Sequence, residues 1–388
     1  MRTVYLDNNA TTRVAPEVRD AMMPFFEELW GNPSSMHTFG GQVKKHIERA
    51  REQVAALLGA DPSEIVFTSC GSESDNMAVR GAVEAAPGRS GIVTSRVEHQ
   101  AILGVCRYLE NRGSRLIELN VDSQGRLDLD QLKASVNDNT AVVSIMWANN
   151  ETGVVFPIEE AAAIVKAAGC VFHTDAVQAV GKLPIDLRRV PVDLLSLSGH
   201  KLHAPKGVAA LYVRKGTKVN PLILGGHQES GKRAGTENVP YIVGLGRACE
   251  LAAKDMAAEA KALSALRDRL AAGLLASCPQ VRVNGDREHR LPNTVNVSFE
   301  YVEGEAILLM LDDFGICASS GSACTSGSLE PSHVMRAMGV PFTAAHGSIR
   351  FSLSRYNTQE DVDCVLKHMP AIIKRLREIS PFVGSKAT

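Results

Sequence analysis

Lys201 is the first residue whose setting suggests chemistry. In Ser196-Leu-Ser-Gly-His-Lys201 the small polar residues before it would hold the lysine at the end of a strand rather than on a helix face. Recessed there, with its pKa lowered by desolvation or a nearby cation, a lysine can condense with an aldehyde. Alone, the same residue reads more readily as an ordinary solvated surface lysine. His173-Thr-Asp175-Ala-Val-Gln178 ends another predicted strand, where ligands of α/β sheets gather. Asp175 is then either a helix N-cap or a carboxylate facing a protonated ring nitrogen. Thr68-Ser-Cys-Gly71-Ser72-Glu-Ser-Asp75 follows a third strand and opens a helical pattern. Gly71 permits close backbone approach, and Ser72 offers a hydroxyl and an N–H at a helix N-terminus, a ready anion site. A capping box from Ser72 to Asp75 has the same spacing.

Two further features complete the set. His99, in Val97-Glu-His99 after the predicted strand Gly91–Ser95, is either structural or placed to stack on a ring and move protons. His200 and His203 have i, i+3 spacing, but no third ligand accompanies them, so no intrinsic metal site is expected. Ser319-Ser-Gly-Ser-Ala-Cys324-Thr-Ser-Gly-Ser328 is seven-tenths Ser and Gly and lacks apolar periodicity. It reads as a surface loop, 319–330, that carries one thiol, whereas a structural cysteine prefers burial. A lysine for an aldehyde, an aspartate for a ring nitrogen and a helix N-terminus for a phosphate come from successive strand ends. Together they match the requirements of pyridoxal 5'-phosphate.

The elements that must position these groups follow a simple alternation. Short runs rich in Val, Ile and Leu occur at Glu64–Thr68, Gly91–Ser95, Arg115–Leu119, Ala141–Met146, Cys170–Thr174, Asp193–Leu197 and Val208–Val213. They show little polar alternation, as expected for strands covered on both faces. Amphipathic segments such as Gln42–Leu58 and Ile158–Ala168 lie between them, which implies an α/β layer fold with a mostly parallel seven-stranded sheet. Val243 to Ser277 is rich in Ala and Leu and lacks Pro, predicting one long helix or two broken near Ala252–Ala260. Strands Val281–Asn284, Thr294–Phe299 and Ser348–Leu353 follow, so residues 13–255 form a large domain and 256–388, with 1–12, a smaller α+β one.

The 388 residues include 42 Lys and Arg against 43 Asp and Glu. That balance argues against nucleic acid or a membrane surface as an electrostatic partner. No basic region leads into an apolar run at Met1–Ala10, and no apolar stretch is long enough to span a bilayer. Eight scattered cysteines without a CxxC pair read as reduced thiols of a cytoplasmic protein.

Tyr5-Leu-Asp-Asn-Asn-Ala-Thr-Thr12, Gly31-Asn-Pro-Ser-Ser35, His173–Gln178, Ser198-Gly-His-Lys201, Arg233-Ala-Gly-Thr236 and Ser319–Ser328 together resemble the cysteine desulfurases, class V, fold-type I pyridoxal phosphate enzymes. The segments Met146–Gly153, His200–Gly207 and Ser328–Arg336 most resemble the nitrogen-fixation type, as does a tail ending soon after Ser380. The resemblance implies that Lys201 holds the cofactor aldehyde and moves the substrate proton. It places Asp175 on the ring nitrogen, Gln178 on the ring hydroxyl and His99 over the ring. Gly71, Ser72, Ser198, Gly199 and His200 would hold the phosphate, with Thr236 reaching it from a second subunit. Asn150 and Arg350 would take the substrate carboxylate, assisted by Asn32, with Asn150 also beside the cofactor. Ser72 stands where many relatives have Thr, which keeps the hydroxyl, and Lys232 where Arg is common, which keeps the charge.

By the same resemblance Cys324 attacks the sulfur of L-cysteine, leaving alanine and an enzyme persulfide. A homodimer and an iron–sulfur scaffold or sulfur-acceptor protein are implied, with nitrogenase maturation as the destination. With a scaffold partner, Cys324 is a candidate transient cluster ligand. The alternatives are a selenocysteine lyase, a cysteine sulfinate desulfinase, or a housekeeping desulfurase. An aminotransferase is disfavoured because transamination has no use for Cys324, and a non-catalytic scaffold because Lys201, Asp175 and Cys324 are all intact.

Overall fold

The computed structural model describes residues 2–320 and 331–380. Its strands are β1 (Val4–Tyr5), β2 (Ile65–Thr68), β3 (Gly91–Ser95), β4 (Arg115–Leu119), β5 (Thr140–Ser144), β6 (Val171–Asp175), β7 (Leu194–Ser198), β8 (Ala209–Val213), β9 (Val281–Asn284), β10 (Thr294–Phe299), β11 (Ile316–Cys317) and β12 (Ser348–Ser352). Seven of them form one sheet in the order β2-β8-β7-β6-β5-β3-β4. Every pairing in it is parallel except the two made by β8, so β2 runs with β7 and with the rest. The carboxyl ends of β2, β3, β5, β6 and β7 therefore share one edge, the place where open α/β sheets bind ligands. Helices such as Lys44–Leu58, Gly71–Glu84 and Ile158–Ala167 cover the faces. This burial on both sides is why the strands read as unbroken apolar runs.

A second apolar cluster joins β12-β10-β9, an antiparallel sheet, to the helix Gln359–Ile379. Val4 and Leu6 from the chain's beginning belong to this cluster. They arrive there because β1 pairs in parallel with β11, and Asp7 bridges to Ser352. Residues 8–12 then cross back to the large sheet, where Thr12 N donates to His200 O at 2.9 Å.

The Ala- and Leu-rich segment is one uninterrupted helix of 39 residues, Val239–Ser277. Nothing between Ala252 and Ala260 breaks it, because Ala, Lys, Met and Glu there all favour helix and neither Gly nor Pro interrupts. Its first part, through Ala252, packs in the apolar cluster of the large sheet. Leu263, Leu270, Ala271 and Leu274 belong to the second cluster.

Candidate active site

Five strand ends and the returning N-terminal segment enclose a cavity of about 370 Å3. Gly71, Ser72, His99, Asn150, Asp175, Gln178, Ser198, His200, Lys201 and Arg350 all line it. Each comes from a junction the sheet topology dictates. Gly71 and Ser72 start the helix after β2, and His99 caps the helix Gln100–Glu110 after β3, its Nδ1 accepting from Ala101 N at 3.2 Å. Asp175 ends β6, and Ser198 ends β7 just before the turn that carries Lys201.

Lys201 Nζ donates to the backbone carbonyls of Asn9 (2.6 Å) and Ala10 (2.8 Å). Asp175 caps no helix, because a turn and not a helix follows β6; its Oδ1 accepts from Val177 N at 2.9 Å within that turn, and the residue lines the cavity. The proposed capping box between Ser72 and Asp75 does not form. The helix N-cap is Cys70, without a side-chain cap bond, and Glu73 instead accepts from Ser69 N at 2.8 Å. Asp75 turns inward and lines the cavity.

Behind the wall lies a buried polar layer. His173 bridges Ser144 Oγ and Ser196 Oγ, each at 2.9 Å, and its Nε2 is 3.7 Å from Asp75 Oδ1. Burial drives its pKa down to about 3, so the ring is neutral. Glu98 accepts from Ser95 Oγ at 2.6 Å and Met146 N at 3.0 Å, and burial pushes its carboxyl up to about 8. Asp75 is raised by burial and then by the Asp175 charge, and Asp175 is raised by burial. One ligating atom each from Asp75, His99 and Asp175 falls within 4.8 Å of the others. Asp175 is thus a buried carboxylate that a cation in the cavity would hold ionised. Burial lowers His99, and burial with Lys201 beside it takes His200 to about 4.

Arg350 reaches the cavity from β12. Its two terminal nitrogens donate to Asp7 Oδ1 at 2.7 Å and Asn150 O at 3.1 Å, while Nε is buried without a partner.

Three expected residues lie elsewhere. Gly199 packs beneath the wall, where an added Cβ would come within 3.0 Å of Val208. Thr236 is exposed, in a segment whose Arg233 pairs with Glu73 at 2.9 Å. Asn32 is also exposed and turns its Oδ1 onto Ser34 N at 2.9 Å. Cys324, with most of the loop 319–330, lies outside the described residues. His200 and His203 form no three-ligand cluster among the described residues. Asn9, Ala10, Cys70 and Asp75 line the cavity although sequence reasoning gave them no role there. The polar run Asp7-Asn-Asn9 was the available signal for the first two. The seven described cysteines are all free thiols. No helix among the described residues is long and apolar enough to cross a membrane.

The family model described as aminotransferase class-V matches residues 4–365. The chain is 60% identical over 387 residues to a cysteine desulfurase of Nostoc sp., covering 100% of this chain and 97% of that one. It is 58% identical over 383 residues to cysteine desulfurase NifS of Azotobacter vinelandii, covering 98% and 95%. Among solved structures it is similar to a NifS-like protein, with 42% identity and a TM-score of 0.91 over 97% of this chain and 100% of that one.

Proposed function

Because the chain belongs to the class-V aminotransferase family and, within it, to the cysteine desulfurases, we propose that it uses pyridoxal 5'-phosphate to take sulfur from L-cysteine, releasing L-alanine and keeping the sulfur as a persulfide on Cys324. The observation that carries the reading is the convergence of Lys201, Asp175 and the Gly71-Ser72 helix start on one cavity.

The lining fits such a cofactor. An added Cβ at Gly71 would press on Val177 Cγ2 at 3.1 Å and touch Ser198 Cβ at 3.6 Å, so glycine leaves this floor the most room. The helix start beside it offers N–H groups to a phosphate, with Ser72, Ser198 and His200 at hand. Asp175, buried and raised, calls for a positive partner such as a protonated ring nitrogen. When bound, the cofactor supplies an electron sink that allows bonds at the substrate's Cα and Cβ to break.

The chain's own residues do the rest. Lys201 would hold the cofactor aldehyde and move the proton at the substrate Cα. His99 would lie against the ring and Gln178 would serve its hydroxyl. Arg350 and Asn150 fix the substrate carboxylate, Arg350 as a two-pronged donor. The Cys324 thiolate attacks the substrate sulfur. The new S–S bond forms as Cβ–S breaks, and the electron pair stays with the carbon skeleton, which takes up a proton and leaves as alanine.

Thr236, exposed and away from its own cavity, serves the neighbouring subunit of a homodimer. A scaffold or acceptor protein collects the persulfide for iron–sulfur clusters, nitrogenase among the destinations, in the cytoplasm. On this reading the chain divides near residue 255, and 1–12 join the second unit through Val4 and Leu6, in keeping with their apolar cluster.

The test compares alanine released from L-cysteine, with a thiol reductant present, by the wild type and by Cys324→Ala. Alanine from the first and almost none from the second is the expected result. Equal release from both would remove Cys324 from the reaction and favour a selenocysteine or sulfinate substrate. No release from either protein, with the cofactor bound, would show the substrate to be wrong.

A further inference from the structure

A second lysine lies half-buried beside the site and has no place in the mechanism above. Lys182 Nζ donates to Gln178 Oε1 at 2.7 Å and approaches Asn9 Oδ1 at 3.4 Å. Both partners are neutral amide oxygens, and the nearest charges acting on it are the cations Lys201 and Arg350. Burial, with those two charges, takes its pKa down to about 7. Leaving a lysine in such a place is costly unless its position does something.

The geometry shows what that is. An amine of this kind donates and an amide has one accepting end, so Lys182 dictates which way the Gln178 amide points. With Oε1 turned to Lys182, the NH2 end must face the other side. One of its hydrogens goes to Asn9 O at 3.1 Å, and Gln178 lines the cavity with the rest. Asn9 O is a shared acceptor, since Lys201 also donates to it at 2.6 Å. Among the described residues, the Lys182 side chain hydrogen-bonds only to Gln178 and Asn9. The backbone is shaped to deliver it. Gly181 has φ +76°, and a side chain there would collide with Leu202.

We propose that Lys182 is a positioning residue, which fixes the Gln178 amide so that its NH2 end, a donor, faces the bound cofactor's ring oxygen. The inference rests on the reading above, which places pyridoxal phosphate in this cavity. A flipped Gln178 would oppose its carbonyl to that oxygen, replacing attraction by repulsion.

The experiment titrates the full chain with pyridoxal phosphate, following visible absorption. Lys182→Met, which removes the donor, should bind about tenfold more weakly, as expected for one hydrogen bond to an anionic oxygen. Lys182→Gln, which restores a donor without the charge, should return to within about twofold of wild type. The double variant Lys182→Met/Gln178→Ala should bind no more weakly than Gln178→Ala, because one residue acts through the other. An apolar chain usually replaces a half-buried cation without loss of the fold, and Lys182→Leu substitutes if the methionine variant does not fold. Wild-type affinity in the Met or Leu variant, an equal loss in Met and Gln, or additive losses in the double variant would each overturn the assignment. A wild-type chain that takes up no cofactor would instead bring down the underlying reading, and this inference with it.

Discussion

Arg350→Lys isolates what a fork of donors contributes to holding a carboxylate. Arg350 is only 2% exposed, and its terminal nitrogens are tied to Asp7 Oδ1 and Asn150 O at 2.7 and 3.1 Å, with Nε unpartnered beside the cavity. Lysine keeps the charge and can keep the Asp7 contact, but it cannot present a second, planar pair of N–H groups. The loss is that of a charge-assisted hydrogen bond, about 1.5–3 kcal/mol. At about 1.4 kcal/mol per factor of ten, kcat/KM for L-cysteine should fall about 10- to 150-fold. The carboxylate does not change charge during the reaction, so the loss should reside in KM, with kcat nearly unchanged. The assay is alanine formation over a range of cysteine concentrations. A parallel series with 2-aminoethanethiol, which lacks the carboxylate and would give ethylamine, followed as sulfide released with a thiol reductant, should show no difference between the two proteins. A fall in kcat at constant KM, or an equal loss with both substrates, would refute the assignment.

Two other outcomes follow from buried side chains. Glu98 is raised from 4.5 to about 8, so between those values the folded chain holds a proton that the unfolded chain has released. Stability must then fall as pH rises through that window, and the thermal midpoint of Glu98→Gln should decline less from pH 5 to 8 than that of the wild type. Parallel curves would contradict this. Leu270, fully buried in the second apolar cluster, should cost about 2–5 kcal/mol when replaced by alanine, read from denaturant midpoints at unchanged slope. A loss below about 1 kcal/mol would mean that the cluster collapses around the gap.

Strands with a compact apolar run between turns were the most legible elements. Gly91–Ser95, Arg115–Leu119, Val281–Asn284 and Thr294–Phe299 begin and end where their sequence says. The predicted strand Ala141–Met146 ends at Ser144, although Ile145 N and Trp147 N still donate to His173 O and Asp175 O of β6, while Met146 N turns to the Glu98 carboxylate. Two-residue β1 and β11 carry no period to detect, and Pro370 inside Gln359–Ile379 obscures a helix otherwise marked by Val362, Val365, Met369, Ile372 and Leu376. In the site, residues acting through side chains were visible by type, as Lys201 and Asp175 show, whereas Arg350 entered only through the family resemblance. Asn9 was marked only by the polar run Asp7-Asn-Asn9, because it serves Lys201 through a backbone carbonyl that every residue has. Asp75 was hidden by ambiguity, since an acid in a first helical turn reads as a cap.

The crossing of residues 8–12 between the two sheets has a consequence for biosynthesis. Asn8 donates to the Ser352 carbonyl across 344 positions of sequence, and Asn9 holds Lys201 and Gln178 from the same short stretch. The large sheet can pair as its strands leave the ribosome, yet one wall of its cavity is fastened by a strand translated hundreds of residues later. A nascent chain therefore carries a nearly finished sheet with an unfinished pocket, and the time spent in that state lengthens with every slow codon before Ser352. Chaperone contact and cofactor loading during synthesis would meet this half-built form first.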